Sequence, residues 1–310
     1  MILFEPTTPK SRRQTGPSIL LFGVGLIGNA IRERIARRAA HTEHRTLSAW
    51  DEAGGLENHR DGIRRAIAST DATRPLEIIW SAGRAGFGVN EEDAGRELES
   101  FKTHLDLLEQ ESKAVGVDIN FRLISSAGGL FEGQKLVCHD TPPDPRRPYG
   151  RMKLEMERQL QDRSFPLKRV LRVTSVFGHV RPGQRLGLVT TLIVNGLRQL
   201  PTPIYGTAGT LRDFIFADDI ARYLIRELNA SESQKGFKAT MLAAGKPSSI
   251  GEIIHLVEGA LKRRLLLQCS LDPDNFAHIT YRSQPYPSGF QTTSLPAAIQ
   301  TILGDFRSRS

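Results

Sequence analysis

The sequence contains two cysteines, Cys138 and Cys269, in 310 residues. That is too few for a disulfide framework, and it fits a reducing compartment such as the cytoplasm. Metal-ligand spacing is also missing: His41 and His44 stand three apart, but no acidic or cysteine partner of the expected kind lies near them, so they read as surface residues. No apolar run is long enough to span a bilayer. The run Ser18–Ile31 follows Lys10, Arg12 and Arg13, as a secretory signal would. However, three glycines interrupt it, it has no small-x-small cleavage site, and it runs straight into Arg32, Glu33 and Arg34. Residues 1–16 therefore read as a mobile polar leader. A dense basic tract is absent too. The 42 Lys and Arg against 34 Asp and Glu give a net charge of +8, but the arginines are spread along the chain. Such a surface suits an anionic small ligand, and nucleic acid is not the expected partner.

Apolar residues make up 39% of the chain and charged residues 25%, enough to bury a sizeable core. Short apolar runs alternate with stretches of helical spacing. Ser18–Phe22 reads as a first strand and Asn29–Ala40 as a helix, with Ala30, Ile31, Ile35 and Ala39 on one side. Strands follow at Arg45–Trp50, Leu76–Ser81, Asp118–Ser125 and Lys168–Val173. Helices are expected at Glu91–Val115, with Leu98, Phe101, Leu105 and Leu108 on one face, and at Tyr149–Gln161. This alternation implies βαβ units: an α/β fold with a Rossmann-type, doubly wound parallel sheet. The chain divides into a dinucleotide-binding part at 17–178 and a smaller substrate-binding region at 179–310, interleaved with the main sheet. In that second part, a helix is expected near Leu188–Arg198, strands near Pro203–Tyr205 and Asp213–Phe216, and a helix at Asp218–Leu228; residues 262–310 are weakly patterned.

Between the first strand and first helix lies Gly23-Val24-Gly25-Leu26-Ile27-Gly28, a GxGxxG string in the strand–turn–helix context that the motif requires. Its glycines would make the tight turn, let backbone N–H groups approach a pyrophosphate, and let helix and strand pack closely. The helix N-terminus would then face the anion. Gly23, Gly25, Leu26, Ile27 and Gly28 are thus candidate cofactor contacts. Asp51, 23 residues after Gly28, is near the usual offset of the carboxylate that binds the adenosine ribose. Such a carboxylate favours NAD; NADP is the alternative. Ala82 and Gly83, which follow the strand at Leu76–Ser81, and Ser125 are expected to line the same crevice, which borders the carboxyl ends of parallel strands.

Tyr149 and Lys153 are four residues apart, on one face of a helix. A phenol is a poor base near neutrality, and a nearby cation favours its ionised form. Tyr149 could then exchange a proton with a substrate hydroxyl or carbonyl, and Ser126, at the end of the preceding strand, could hold the same oxygen. The glycine turn, the Ser-Ser strand end, a loop rich in Gly and Pro at 128–148 and the Tyr-Lys helix follow one another in order.

With these motifs, residues 18–230 resemble the extended short-chain dehydrogenases, the family of sugar-nucleotide epimerases and dehydratases. Ser125-Ser126-Ala127 looks like the family's catalytic serine segment. Pro145 through Glu155 looks like its P-x-x-x-Y-G-x-x-K segment. Leu171-Arg172 through Val176-Phe177-Gly178 resembles the strand and turn past the nicotinamide, and Arg212 through Ala221 resembles its R-D-F/Y-V-x-V-x-D-V-A segment. The resemblance implies that Ser126, Tyr149 and Lys153 are catalytic and that Arg212 contacts a substrate diphosphate. It also implies a homodimer formed through the long helix and the Tyr149 helix. Departures are visible. Phe22 takes the first Gly position of the usual turn. Ser175 stands where an Asn commonly holds the substrate nucleotide, and Ser100 is the nearest match to an Asn usual in the long helix. Ala127 stands where dehydratase members carry an Asp-Glu pair, so elimination is disfavoured.

The expected function is an NAD(P)-dependent epimerase or ketoreductase of a nucleotide-linked sugar. The alternatives are a reductase of a carbonyl substrate without a nucleotide, suggested by Ser175, and a non-catalytic dinucleotide-sensing protein, supported by the net charge alone.

Overall fold

Ile19–Phe22 (β2) sends Leu20 and Phe22 into one buried cluster and Ile19 and Leu21 into another. A strand buried on both faces reads as a continuous apolar run, and it needs helices on both sides. The computed structural model describes residues 1–6, 16–37, 41–45, 55–71, 73–179, 186–230, 235–270, 278–282, 287 and 290–308. Among these, β2 is followed by α1 (Leu26–Ala36), β3 (His41–Arg45), α2 (Gly55–Ala68), β4 (Leu76–Trp80), α3 (Glu91–Val115), β5 (Ile119–Ser126), the short α4 (Ala127–Leu130), α5 (Pro148–Gln161) and β6 (Leu167–Val173). Then come β7 (Ser175–Phe177), α6 (Leu188–Arg198), β8 (Thr202–Tyr205), β9 (Leu211–Phe216), α7 (Ala217–Ala230), β10 (Gly236–Leu242), β11 (Pro247–Ser249), α8 (Ile250–Leu261), β12 (Leu267–Ser270) and α9 (Leu295–Arg307). Before them all stands β1 (Ile2–Pro6).

The main sheet has the order β10-β6-β5-β4-β2-β1-β3. Every pairing from β10 to β2 is parallel, and β1 is antiparallel to both of its neighbours. Helices α2, α3 and α5 cover one face, while α1 and α7 cover the other. A third apolar cluster joins α6, α8 and α9 to β7, β8 and β9, beyond the carboxyl end of β6. Residues beyond 179 return to the main sheet through β10 and α7.

Two expectations change. Residues 2–6 are not part of a mobile leader: Leu3 packs into one face cluster and Ile2 and Phe4 into the other, so the first residues form a sheet strand. Three apolar residues followed by Pro6 and a basic stretch leave too short a signal, and only pairing with β2 and β3 makes the strand worthwhile. The second expected strand, placed at Arg45–Trp50, lies instead at His41–Arg45; residues 46–50 fall outside the described residues.

Candidate active site

The glycine turn is packed from beneath and open above. Gly23 has φ +83°, and a Cβ there would lie 2.4 Å from the Ala82 backbone. Gly28 is tighter: its Cβ would meet the Gly23 carbonyl oxygen at 2.0 Å, so helix and turn touch only because Gly28 lacks a side chain. Gly25, which caps α1, has nothing within 4 Å on its Cβ side. The first turn of α1 directs the N–H groups of Leu26, Ile27 and Gly28 out of the helix end, where no helical carbonyl can accept them. A close-packed turn with one open glycine at a helix N-terminus is the form a pyrophosphate requires. These residues therefore fit a dinucleotide. Phe22, in the usual first Gly position, is a core residue stacked on Trp80 with ring centres 4.9 Å apart, so it alters the strand end and leaves the turn intact.

Across the crevice, β5 ends in the two serines. Successive strand residues face opposite sides. Ser125 turns toward α5 and donates to Glu157 Oε1 at 2.6 Å. Glu157 also receives Nε and Nη2 of Arg172 at 3.1 and 2.7 Å. The Ser125 hydroxyl is thus committed to a buried network that ties β5, β6 and α5 together. Ser126 faces the other way and caps α4: the Gly129 N–H donates to its Oγ at 3.1 Å. Since Oγ is accepting there, its own O–H is left to donate elsewhere.

Two glycines bring that cap against the tyrosine. A Cβ on Gly129 would lie 2.9 Å from Cδ1 of Tyr149, and one on Gly150 would lie 2.1 Å from the Gly129 carbonyl oxygen. Pro148 opens α5 at its first turn, where a missing N–H costs nothing, and presents Tyr149 half-buried. One turn later, the Lys153 Nζ lies 5.9 Å from the centre of the Tyr149 ring, and the lysine is 6% exposed. Ser126, Tyr149 and Lys153 are therefore together.

The β4–α3 loop closes this cluster. Ala82 is buried, and Gly83 sits at φ +151°. Farther along, the Phe87 ring lies 5.7 Å from the Tyr149 ring, with the Arg147 guanidinium 5.6 Å from the Phe87 ring centre. Arg147 pairs with the buried Glu132 at 2.7 Å. Arg212, on β9, donates to the Leu211 carbonyl at 2.9 Å. Burial pulls its guanidinium below the usual range, while the nearby Tyr281 and Glu132 act in the opposite direction. Arg212 thus belongs to the same electrostatic neighbourhood as Glu132 and Arg147, beside the start of α5. Ser175 is half-buried on β7, opposite Phe214 of β9. Asp51 lies outside the described residues.

The sequence reading missed Phe87, Glu132, Arg147 and Glu97. Glu97 left a trace: it falls between Ala94 and Phe101 on the buried stripe of α3, where a carboxylate is out of place unless it has partners. The other three depend on loop conformation.

The family model described as the NAD dependent epimerase/dehydratase family matches residues 19–240. The chain belongs to that family. By its description, that family comprises epimerases and dehydratases that depend on NAD. A protein of Methanocaldococcus jannaschii named for UDP-glucose 4-epimerase activity is 25% identical over 148 residues, which is 46% of this chain and 47% of that one. The chain thus spans about half the length of that curated relative. Among solved structures, a UDP-glucose 4-epimerase from Brucella ovis in complex with NAD superposes with a TM-score of 0.75 at 18% identity, covering 93% of this chain and 97% of that one. A UDP-glucose 4-epimerase from Thermotoga maritima with UDP-glucose gives 0.73 at 18% identity, covering 94% and 98%. At this identity the likeness shows a shared fold. No helix among the described residues is long and apolar enough to cross a membrane.

Proposed function

We propose that this chain is an NAD(P)-dependent epimerase or ketoreductase of a nucleotide-linked sugar, with Tyr149 as the acid–base residue. One observation carries the reading: the Gly129–Gly150 contact seats the Ser126 cap against the Tyr149 ring, one helical turn from a buried Lys153. When bound, the dinucleotide supplies hydride acceptance and return. The chain's residues supply the rest. The Ser126 hydroxyl donates to the reacting oxygen and fixes it near the Tyr149 phenol. Tyr149 takes or returns the hydroxyl proton, with the Lys153 ammonium 5.9 Å from its ring centre. Gly25 and the first turn of α1 hold the pyrophosphate, and Asp51 is the proposed ribose partner. Ala127 beside Ser126 offers no acid for elimination, which favours epimerisation or reduction over dehydration.

Arg212 is the proposed handle for the diphosphate, since a planar guanidinium can bind such a group in bidentate fashion. The relatives named for UDP-glucose 4-epimerase activity and the net charge of +8 support a dianionic substrate. Saturation-transfer NMR with UDP, GDP and dTDP tests it: at least one should bind wild type, and Arg212→Ala should weaken that binding about tenfold or more, in the range of a charged hydrogen-bond pair. If none binds, the reductase of a carbonyl substrate without a nucleotide, favoured by Ser175, becomes the better account. We also propose a homodimer through α3 and α5, to be checked by sedimentation.

A further inference from the structure

Glu97 joins the loop after β4 to the proposed catalytic lysine, and its two oxygens do different things. Oε2 accepts the backbone N–H groups of Arg84 and Ala85, both at 2.9 Å. Oε1 faces Lys153 Nζ at 3.5 Å and lies 2.6 Å from where a Gly83 Cβ would stand. The carboxylate is 5% exposed and the ammonium 6%. Taking two charges out of water is costly, and it is tolerated when they meet each other and their remaining groups are hydrogen-bonded. Both conditions hold here. Lys153 has as its other neighbour the Met156 sulfur at 3.7 Å, a weak acceptor.

We propose that Glu97 is the positioning residue for Lys153: its Oε2 pins the Gly83–Ala85 segment, and its Oε1 holds the ammonium of Lys153 in place for the cofactor and Tyr149. The proposal rests on the reading of Lys153 as a cofactor-binding residue. The long helix meets the lysine with a carboxylate, one turn before Ser100, and so sets an opposite charge against an ammonium whose other neighbour is a thioether. The requirement for Gly83 follows as well, because any side chain there would displace the carboxylate from both of its partners.

The two jobs can be separated. Glu97→Gln can keep its amide oxygen on the Arg84 and Ala85 N–H groups, and it then turns an NH2 toward Lys153, donor against donor. The test is a double-mutant cycle in NADH binding, followed by fluorescence, on wild type, Glu97→Gln, Lys153→Met and the double variant. We expect each single variant to bind NADH at least tenfold more weakly and the double variant to match Lys153→Met alone. Losses that multiply in the double variant overturn the proposal, as does Glu97→Gln binding within twofold of wild type while Lys153→Met is weakened. If Lys153→Met binds as wild type does, the reading of Lys153 fails and the proposal falls with it, an outcome distinct from the other two. Thermal melting of the same four proteins covers the case in which Glu97→Gln folds poorly. Stability lost in Glu97→Gln should return in the double variant, which has no buried ammonium to leave unpaired. If it does not return, Glu97 serves the loop alone and the proposal is wrong.

Discussion

The two sides of the crevice are wired differently. On the proposed catalytic side, β4, β5 and β6 are neighbours in the sheet and run parallel, so each strand end delivers its loop next to the following one. On the proposed adenosine side, β1 stands between β2 and β3 and runs against both. The strand beside the glycine turn therefore brings its beginning to the crevice, with Ile2 opposite Leu21. The strand that leads to Asp51 lies two spacings from β2, roughly 10 Å away at about 4.8 Å per strand. Spacing along the chain predicts spacing in space only where consecutive strands are neighbours. That condition holds on the first side and is broken on the second by a strand recruited from the first six residues.

The largest expected effect falls on the catalytic side. Tyr149→Phe should reduce turnover by about 10²–10⁴-fold, the usual worth of a positioned acid–base group. NADH binding should stay within threefold, because the ring that packs on Gly129 is kept. Lys153→Ala should lose both. Turnover near the wild-type rate in Tyr149→Phe, measured with the substrate that NMR identifies, would put the proton transfer elsewhere.

A second pair of variants probes the turn that the two sides share. Gly28→Ala places a methyl 2.0 Å from a backbone oxygen, so it should destabilise the fold by about 1–3 kcal/mol or more, seen as a lower melting temperature. Gly25→Ala meets nothing within 4 Å and has φ −71°, a conformation open to any residue. It should fold with a loss under about 1 kcal/mol yet bind NADH more weakly. If the two variants lose stability equally, the glycines serve packing alone and the cofactor cradle is misassigned.

The same wiring explains what could be read in advance. Ser126, Tyr149 and Lys153 were legible because a strand end and one turn of a helix fix their places with little help from the remainder of the fold. Helices α3, α5 and α6 were expected to within a residue or two of their bounds, α3 from its apolar spacing. By contrast, α9 was passed over although Ser294 caps it by accepting the Ala297 N–H and Pro296 sits in its first turn. Only its packing with α6 and α8 gives its apolar face a purpose. Phe87 and Arg147 could not be placed, because their meeting over Tyr149 depends on two loops that are 60 residues apart in the chain. Glu97 was visible as an oddity on an apolar stripe, but its partners are on another helix and another loop.

The smallest expected effect concerns Asp51. Where the ribose partner stands at the end of the strand next to the glycine turn, the sheet holds it in place at no further cost. Here β1 stands between β2 and β3, so the strand that precedes Asp51 in the chain is not the neighbour of the glycine turn. A hydrogen bond between a carboxylate and the ribose hydroxyl is worth about 1.5–3 kcal/mol, and the sheet does not place Asp51 to collect it in full. We therefore expect Asp51→Asn to weaken NAD binding by no more than about threefold, or ~0.7 kcal/mol, and to change the preference between NAD and NADP by a similarly small factor. Titrating both cofactors onto wild type and Asp51→Asn measures this directly. A tenfold or greater loss for NAD, with a matching gain for NADP as the repulsion of a 2′-phosphate is removed, would show that Asp51 makes the ribose contact despite the inserted strand. The difference between the two sides of the crevice would then be one of connection alone, and not of chemistry.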